Sequence, residues 1–309
     1  MTAAAPRSGP VAFVGAGNMG GAMAARLCEL GWPVVVCDID PVRQQAAETA
    51  GARLADTPLA AARALPDAGV LIVCVVDAAQ CGAVLLGEGG APGALDAMRP
   101  GQTVMLCPTI APEDTESLAA ALQARGIGCI DAPMSGGPQR ARNGSMSLMV
   151  AAPEAVLARH AALLEALSSQ VFRISERVGD GARTKLVNNL LAGINLVGAA
   201  EALALAGHLG LDLRTTLGVI EHSSGQSWIG SDRMRRSLDG DVAPRAHMTL
   251  LEKDTRLAVQ AATAAGFAGP LGAGAARAFA QATQDGLADC DDGALLGWLQ
   301  GQQRPKPDR

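Results

Sequence analysis

Residues 11–38 hold a strand, a glycine turn, a helix and a second strand ending in a carboxylate, and this order constrains the fold more than any other feature of the chain. Val11-Ala12-Phe13-Val14 is an apolar run of strand character, Gly15-Ala16-Gly17-Asn18-Met19-Gly20 turns it, and Gly21 to Leu30 continues with helical spacing. Val34-Val35-Val36-Cys37 then reads as a second strand, with Asp38 at its end. A bare G-x-G-x-x-G is weak in a chain with 37 glycines, but between a strand and a helix it reads as a dinucleotide socket. Gly15 permits the tight turn, Gly17 lets the backbone approach a pyrophosphate, and Gly20 lets helix and strand pack closely. The helix N-terminus adds free N–H groups and partial positive charge, so Asn18 and Met19 join the glycines as candidate cofactor contacts.

Composition bounds the rest. The 309 residues suit about two domains, and 49% hydrophobic residues predict a globular chain. A net charge of −5, a pI near 5.4 and 2% aromatic residues disfavour a nucleic-acid partner. Seven cysteines without a C-x-x-C pair, several in or beside strand-like runs (Cys37, Cys74, Cys107, Cys129), read as reduced core thiols of a cytoplasmic protein. Met1 to Pro10 is too short before the first strand for an export signal. The most apolar long stretch, Leu186 to Leu205, carries Asn188, Asn189, Asn195 and Glu201, so it reads as a buried helix and no membrane span is expected.

From Val11 to about Ile174, strand and helix patterns alternate, with further strands expected at Val70 to Val76, Thr103 to Cys107, Gly128 to Ala132, Met146 to Ala151 and Val171 to Ile174. Such alternation predicts a mostly parallel sheet covered on both faces, with ligands at the carboxyl ends of the strands. Beyond Gly179-Asp180-Gly181 strand signals nearly vanish. Ala182 to Leu209 predicts a long helix buried between domains or subunits, and further helices are expected near Leu213 to Glu221, Trp228 to Leu238, His247 to Ala265 and Pro270 to Gln284. The boundary is expected near 175 to 182.

Four residue groups carry candidate chemistry. Asp38 can accept hydrogen bonds from an adenosine ribose and repel a 2′-phosphate, so NAD is expected over NADP, although Arg43 can offset the charge of Asp38 and Asp40. Asp131-Ala132-Pro133-Met134-Ser135-Gly136-Gly137-Pro138 follows a strand, and its hydroxyl and successive N–H groups suit a carboxylate. Only three of 25 basic residues are lysines, Lys185, Lys253 and Lys306, and a lysine can release a proton where an arginine cannot. Lys185 and Asn189, four apart, share a helix face. Beside a cationic nicotinamide, Lys185 is expected to accept a hydroxyl proton while Asn189 holds the substrate oxygen. Lys253 precedes Asp254, which suits either an ion pair or a cofactor contact. The absence of tyrosine rules out a Tyr-Lys mechanism, there is no P-loop, and the four histidines lack metal-ligand spacing, leaving no metal expected and only His222 and His247 as minor candidates for substrate contact.

With these motifs in hand, the chain resembles the β-hydroxyacid dehydrogenases, a family that includes 3-hydroxyisobutyrate, tartronate semialdehyde and L-threonate enzymes, with 6-phosphogluconate dehydrogenase more distant. Gly15 to Leu30 is similar to the family's G-x-G-x-M-G-x-x-M-A-x-x-L opening. Asp131 to Gly137 matches its D-A-P-x-S-G-G, Gly179 to Asn189 its G-x-G-x-x-x-K-x-x-N-N, and Lys253-Asp254 its late K-D pair. The resemblance implies an α/β fold: a Rossmann-type doubly wound sheet over 1–178, then an all-α domain over 179–309 with a long interdomain helix. It implies Lys185 as catalytic acid/base and Ser135, Gly136, Gly137 and Asn189 as substrate contacts. Lys253 would reach the cofactor, and Val75, Val76 and Thr109 would line the nicotinamide-ribose side. The implied activity is hydride transfer between NAD and the 3-hydroxyl or aldehyde of a small hydroxy acid, with an L-threonate-like stretch at Ser223 to Trp228; the apolar central helix and the all-helical second domain suggest a homodimer or homotetramer.

The chain departs from the family at Val75-Val76-Asp77, where relatives often read Leu-Pro-Asn, at Leu106-Cys107-Pro108-Thr109, and at Val150-Ala151-Ala152-Pro153. An imine reductase and a catalytically silent dinucleotide-binding protein are the rival readings; Lys185 counts against the first, and the intact Lys185 and Asn189 against the second.

Overall fold

The computed structural model describes residues 10–302. Residues 1–9, read as too short for an export signal, and the polar tail with Lys306 lie outside the described residues. The chain forms two compact units, one closing at Lys185 and the other beginning at Leu186.

The first unit carries strands β1 (Val11–Val14), β2 (Val34–Cys37), β3 (Arg53–Leu54), β4 (Val70–Val73), β5 (Gly87–Glu88), β6 (Ala91–Pro92), β7 (Thr103–Leu106), β8 (Gly128–Asp131), β9 (Met134–Ser135), β10 (Ser147–Ala151) and β11 (Gln170–Ser175). Its helices are α1 (Asn18–Glu29), α2 (Pro41–Thr49), α3 (Pro58–Arg63), α4 (Ala78–Leu86), α5 (Pro112–Gln123), α6 (Gly137–Asn143), α7 (Glu154–Arg159) and α8 (Ala161–Leu167). One sheet runs in the order β11-β10-β8-β7-β4-β1-β2-β3, while β5 and β6 pair in a small hairpin of their own. The central strands are buried at every position because both faces are covered. Phe13, Ile72, Met105 and Ile130 pack into one core, and their neighbours Val14, Leu71, Val104 and Cys129 into the other.

Strands β3, β2, β1, β4, β7 and β8 are parallel, in the doubly wound order in which the chain reverses direction across the sheet between β1 and β4. The expected parallel sheet therefore holds through β8. Beyond it, β10 pairs antiparallel with β8 and β9, and β11 is parallel to β10. Pro133 interrupts β8 and β9 because it has no N–H to donate, yet its carbonyl still accepts from the Met149 N–H at 3.0 Å.

Helix α9 (Asp180–His208) spans 29 residues. By length and composition alone it could cross a bilayer. In the second unit, however, Leu196, Ala200, Leu203 and Ala204 on one of its faces join a core with Leu217, Met234, Met248, Leu251, Phe279 and Leu295. On another face of the helix Val187, Leu191, Leu205 and Leu209 are exposed in the single chain. The partners in that core come from α10 (Leu213–Glu221), α11 (Trp228–Leu238), α12 (Met248–Ala264), α13 (Gly272–Ala282) and α14 (Leu295–Gln302).

Candidate active site

The glycine turn joins β1 to α1 at the carboxyl edge of the sheet, and its three glycines meet different demands. Gly15 has φ +93°, and a Cβ there would lie 2.5 Å from the Cys74 carbonyl oxygen. A Cβ on Gly20 would lie 2.1 Å from the Gly15 carbonyl oxygen. Packing of helix against strand thus demands both. Gly17 is different: it caps α1 with φ −61°, and the nearest atom to its Cβ would be Arg43 Nη1 at 3.4 Å. Neither the backbone nor packing requires a glycine there. What Gly17 provides is bare backbone at a helix N-terminus that lacks a side-chain cap, a surface suited to pyrophosphate. The residues present therefore fit a dinucleotide, with Asn18 and Met19 in the first turn of α1.

Asp38 is buried at the end of β2, and its carboxylate is shared. Oδ2 accepts from the Ala16 N–H at 2.5 Å and Oδ1 from the Asp40 N–H at 2.9 Å. Arg43 pairs with Asp40 at 3.4 Å, and both side chains are substantially exposed. Beyond β4, Val75 packs on the core near Gly15 while Val76 is half exposed. Asp77 in the departing Val-Val-Asp segment N-caps α4, accepting from the Gln80 N–H at 2.8 Å. Asparagine and aspartate cap equally well, so this change keeps the local geometry. Thr109, following β7, is partly buried.

The Ser-Gly-Gly turn follows β8. Ser135 pairs with Ser147 of β10, and Gly136 and Gly137 take φ +129° and +74°. A Cβ on Gly137 would meet no atom within 4 Å, so its backbone faces open space. Asp131, at the head of the same segment, points elsewhere: its Oδ2 accepts from the N–H groups of Gly179 at 2.8 Å and Ala182 at 3.0 Å, at the start of α9. Burial raises its carboxyl to about 6 against the lowering effect of those N–H groups.

Lys185 lies one residue short of a full turn beyond Ala182 and is buried at 7% exposure, as is Asn189 on the same helix face. In the second unit Asp254 Oδ2 accepts from Asn189 Nδ2 at 2.5 Å, and Asp254 Oδ1 accepts from Lys253 Nζ at 2.7 Å. Asn188 Nδ2 donates to Asn189 Oδ1 at 2.9 Å, which leaves one N–H of the Asn189 amide. Asp254 and Asp131 organise these groups and were not singled out as site residues from the sequence. The signal that was there is the fixed neighbourhood: one directly follows a scarce lysine, the other heads the Ser-Gly-Gly segment.

The histidines are engaged elsewhere. His160 is buried against Thr103 Oγ1 at 2.9 Å, and burial pushes it down to about 4. His222 and His247 bond to the carbonyls of Gly218 and Asp289 at 2.8 and 3.1 Å. Burial raises the thiols of Cys37 and Cys74 to about 11 and 12, leaving neither as a nucleophile near neutrality.

Comparison with known proteins shows the family of the chain. Residues 10–175 match the family described as the NAD binding domain of 6-phosphogluconate dehydrogenase. Residues 179–299 match the NAD-binding family of NADP-dependent 3-hydroxyisobutyrate dehydrogenase. The L-threonate dehydrogenase of Pectobacterium atrosepticum is 33% identical over 296 residues, covering 96% of each chain. The 3-hydroxyisobutyrate dehydrogenase of Pseudomonas aeruginosa is 35% identical over 293 residues, covering 90% of this chain and 95% of its own. The crystal structure of a 3-hydroxyisobutyrate dehydrogenase from Salmonella typhimurium superposes with a TM-score of 0.86 at 34% identity, covering 94% of this chain and 100% of that one. An imine reductase from Myxococcus stipitatus, at 18% identity and a TM-score of 0.62, shares the fold alone.

Proposed function

The chain belongs to the β-hydroxyacid dehydrogenase family and is an NAD(P)-dependent oxidoreductase, and from that premise we propose that it oxidises the 3-hydroxyl of a small hydroxy acid, or reduces the corresponding aldehyde, with L-threonate-like acids as its substrates. The observation that carries this reading is Lys185, a scarce lysine, buried one turn before Asn189 on the same face of α9. Gly15, Gly17, Asn18, Met19 and Gly20 hold the dinucleotide, with Asp38 at its adenosine end and Val75, Val76 and Thr109 toward its nicotinamide ribose. When bound, the nicotinamide would supply the hydride acceptor for oxidation and the hydride donor for reduction. The Ser135 hydroxyl and the N–H groups of Gly136 and Gly137 anchor the substrate carboxylate. Lys185 Nζ takes the hydroxyl proton during oxidation and returns it during reduction, and the remaining N–H of Asn189 holds the reacting oxygen. Lys253, through Asp254, orients that amide.

Asp38 supports NAD over NADP, because an acidic side chain at the end of β2, beside the glycine turn, suits ribose hydroxyls and repels a 2′-phosphate. The L-threonate dehydrogenases among its relatives support the choice of acid. The exposed apolar side chains of Val187, Leu191, Leu205 and Leu209 recur at helical spacing along α9, and they support a homodimer or homotetramer closed over that face. Light scattering tests it: a monomer at micromolar concentration overturns the assembly. Seven free cysteines support a cytoplasmic setting.

The deciding experiment pairs Lys185→Ala with a substrate panel of threonate, glycerate, 3-hydroxyisobutyrate, serine and 3-hydroxypropionate, each with NAD and NADP. Turnover should fall by about two to four orders of magnitude, as expected on loss of a general acid/base, with NADH affinity nearly unchanged. Unchanged turnover would refute the role of Lys185.

A further inference from the structure

One buried carboxylate joins the two segments that carry the proposed chemistry. Asp131 ends β8, four residues before Ser135, and is 2% exposed. Its Oδ2 accepts from the N–H groups of Gly179 and Ala182 at 2.8 and 3.0 Å. Ala182 is three residues before Lys185, a rise of about 4.5 Å along the helix. A single carboxyl group thus fixes the start of α9 within a turn of the lysine and lies four residues from the substrate-binding hydroxyl.

The glycines on either side of Asp180 shape this contact. A Cβ on Gly181 would lie 2.9 Å from Asp131 Cγ and Oδ2 and 2.8 Å from the Met149 carbonyl oxygen. Gly179 turns the chain into the helix with φ +100°. The first turn of α9 can therefore settle onto the carboxylate only because position 181 has no side chain. A second attachment exists: Arg183 Nη2 donates to Glu116 Oε1 at 2.7 Å and Arg183 Nη1 to Asp180 Oδ1 at 3.0 Å. Those side chains are more than a quarter exposed, so their pairing is weak beside the buried one. A carboxylate at a helix N-terminus is favoured both by the unpaired N–H groups and by the helix dipole.

We propose that Asp131 is a positioning residue, which clamps the first turn of α9 to the end of β8 and thereby sets the place of Lys185 relative to the Ser135-Gly136-Gly137 turn. This rests on the assignment of Lys185 as acid/base. Asp131 makes no substrate contact in this reading: its partners are the backbone N–H groups of Gly179, just before α9, and Ala182 in its first turn, and the carboxyl is sealed from solvent. Displacing a reacting group by about 1 Å costs on the order of a hundredfold in rate.

Asp131→Ala, Asp131→Asn and Gly181→Ala test this through steady-state kinetics, NADH titration and amide hydrogen exchange in the ligand-free protein. Asp131→Ala should lower kcat by about 10–100-fold, leave the NADH dissociation constant within about threefold, and abolish exchange protection at Gly179 and Ala182. Asp131→Asn keeps an acceptor oxygen and should recover most of both. Should Asp131→Ala not fold, Gly181→Ala carries the test, because its methyl pushes the same turn away from an intact carboxylate and should lower kcat in the same way. Wild-type protection at Gly179 and Ala182 in Asp131→Ala, or wild-type kcat in either alanine variant, overturns the clamp. Lys185→Ala run in parallel separates the two ideas: normal turnover there defeats the acid/base assignment, whereas wild-type exchange protection in Asp131→Ala defeats the clamp whatever the role of Lys185.

Discussion

Asp38 accepts a hydrogen bond from the backbone N–H of Ala16 at 2.5 Å, which ties the end of the second strand directly to the glycine turn after the first. The carboxylate therefore shapes the turn as well as presenting charge to it. Asp38→Ala should lose about 1–3 kcal/mol of stability, because the buried Ala16 N–H is left without its acceptor. The same variant should bind NAD less tightly and lose its preference over NADP, which fluorescence titration with both reduced cofactors reads. Retained preference would show that selectivity lies elsewhere, with Arg43 the next group to replace.

The glycines of the turn should separate stability from binding. Gly17→Ala adds a methyl with only the flexible end of Arg43 nearby, at 3.4 Å, so the variant should melt within a few degrees of the wild type. Its NADH affinity should nonetheless fall by about tenfold or more, since the methyl occupies the approach of the pyrophosphate. Gly20→Ala should instead unfold at a markedly lower temperature, because its Cβ would meet the Gly15 carbonyl oxygen. Equal melting points for the two variants would contradict this division.

Asp254 holds Asn189 and Lys253 at once, so its removal should disturb both. Asp254→Ala leaves the buried Asn189 amide without its acceptor, a loss of about 1–3 kcal/mol. A fall in kcat for the hydroxy acid should accompany it, with the amide no longer oriented toward the reacting oxygen. Calorimetry and steady-state kinetics check the two effects separately. Wild-type kcat and KM would remove Asn189 from the substrate contacts.

His160 predicts a dependence of stability on pH. Its ring is held down to about 4 by burial, against 6.5 in the unfolded chain. On acidification the unfolded state takes up the proton first, so the stability contributed by neutral His160 is complete above pH 6.5 and lost progressively toward pH 4. Asp131 and Asp292 have the opposite sign, because burial raises each to about 6 from 3.8 and their contribution is lost as pH rises through that window. His160→Gln removes only the first effect. Between pH 7 and 4, therefore, the wild type should lose stability relative to His160→Gln by at most on the order of 3 kcal/mol. A gap that does not change with pH would show that the ring titrates normally in the folded protein.

Legibility in the sequence followed the length of each pattern. The helices Leu213–Glu221 and Trp228–Leu238 lie where their spacing predicts, and the four-residue apolar runs of β1 and β2 form as read, since each segment carries its own periodicity. The two-residue strands β3, β5, β6 and β9 repeat nothing and went unread. The inversion of β10 was hidden for another reason: strand direction depends on how the chain returns after Pro133, and no residue in β10 encodes it.

Residue type and spacing along the chain were enough to identify the dinucleotide turn, the Ser-Gly-Gly segment and the lysine one turn before an asparagine, because those signals are local. The atoms that a side chain at Gly15 or Gly20 would strike, the Cys74 and Gly15 carbonyl oxygens, are brought there only by the folded chain. The same holds for Asp131: 48 residues separate it from Gly179, and only the folded chain joins them. Local chemistry is written in neighbouring residues, whereas a hydrogen bond between distant segments exists only once packing has put its donor and acceptor within reach.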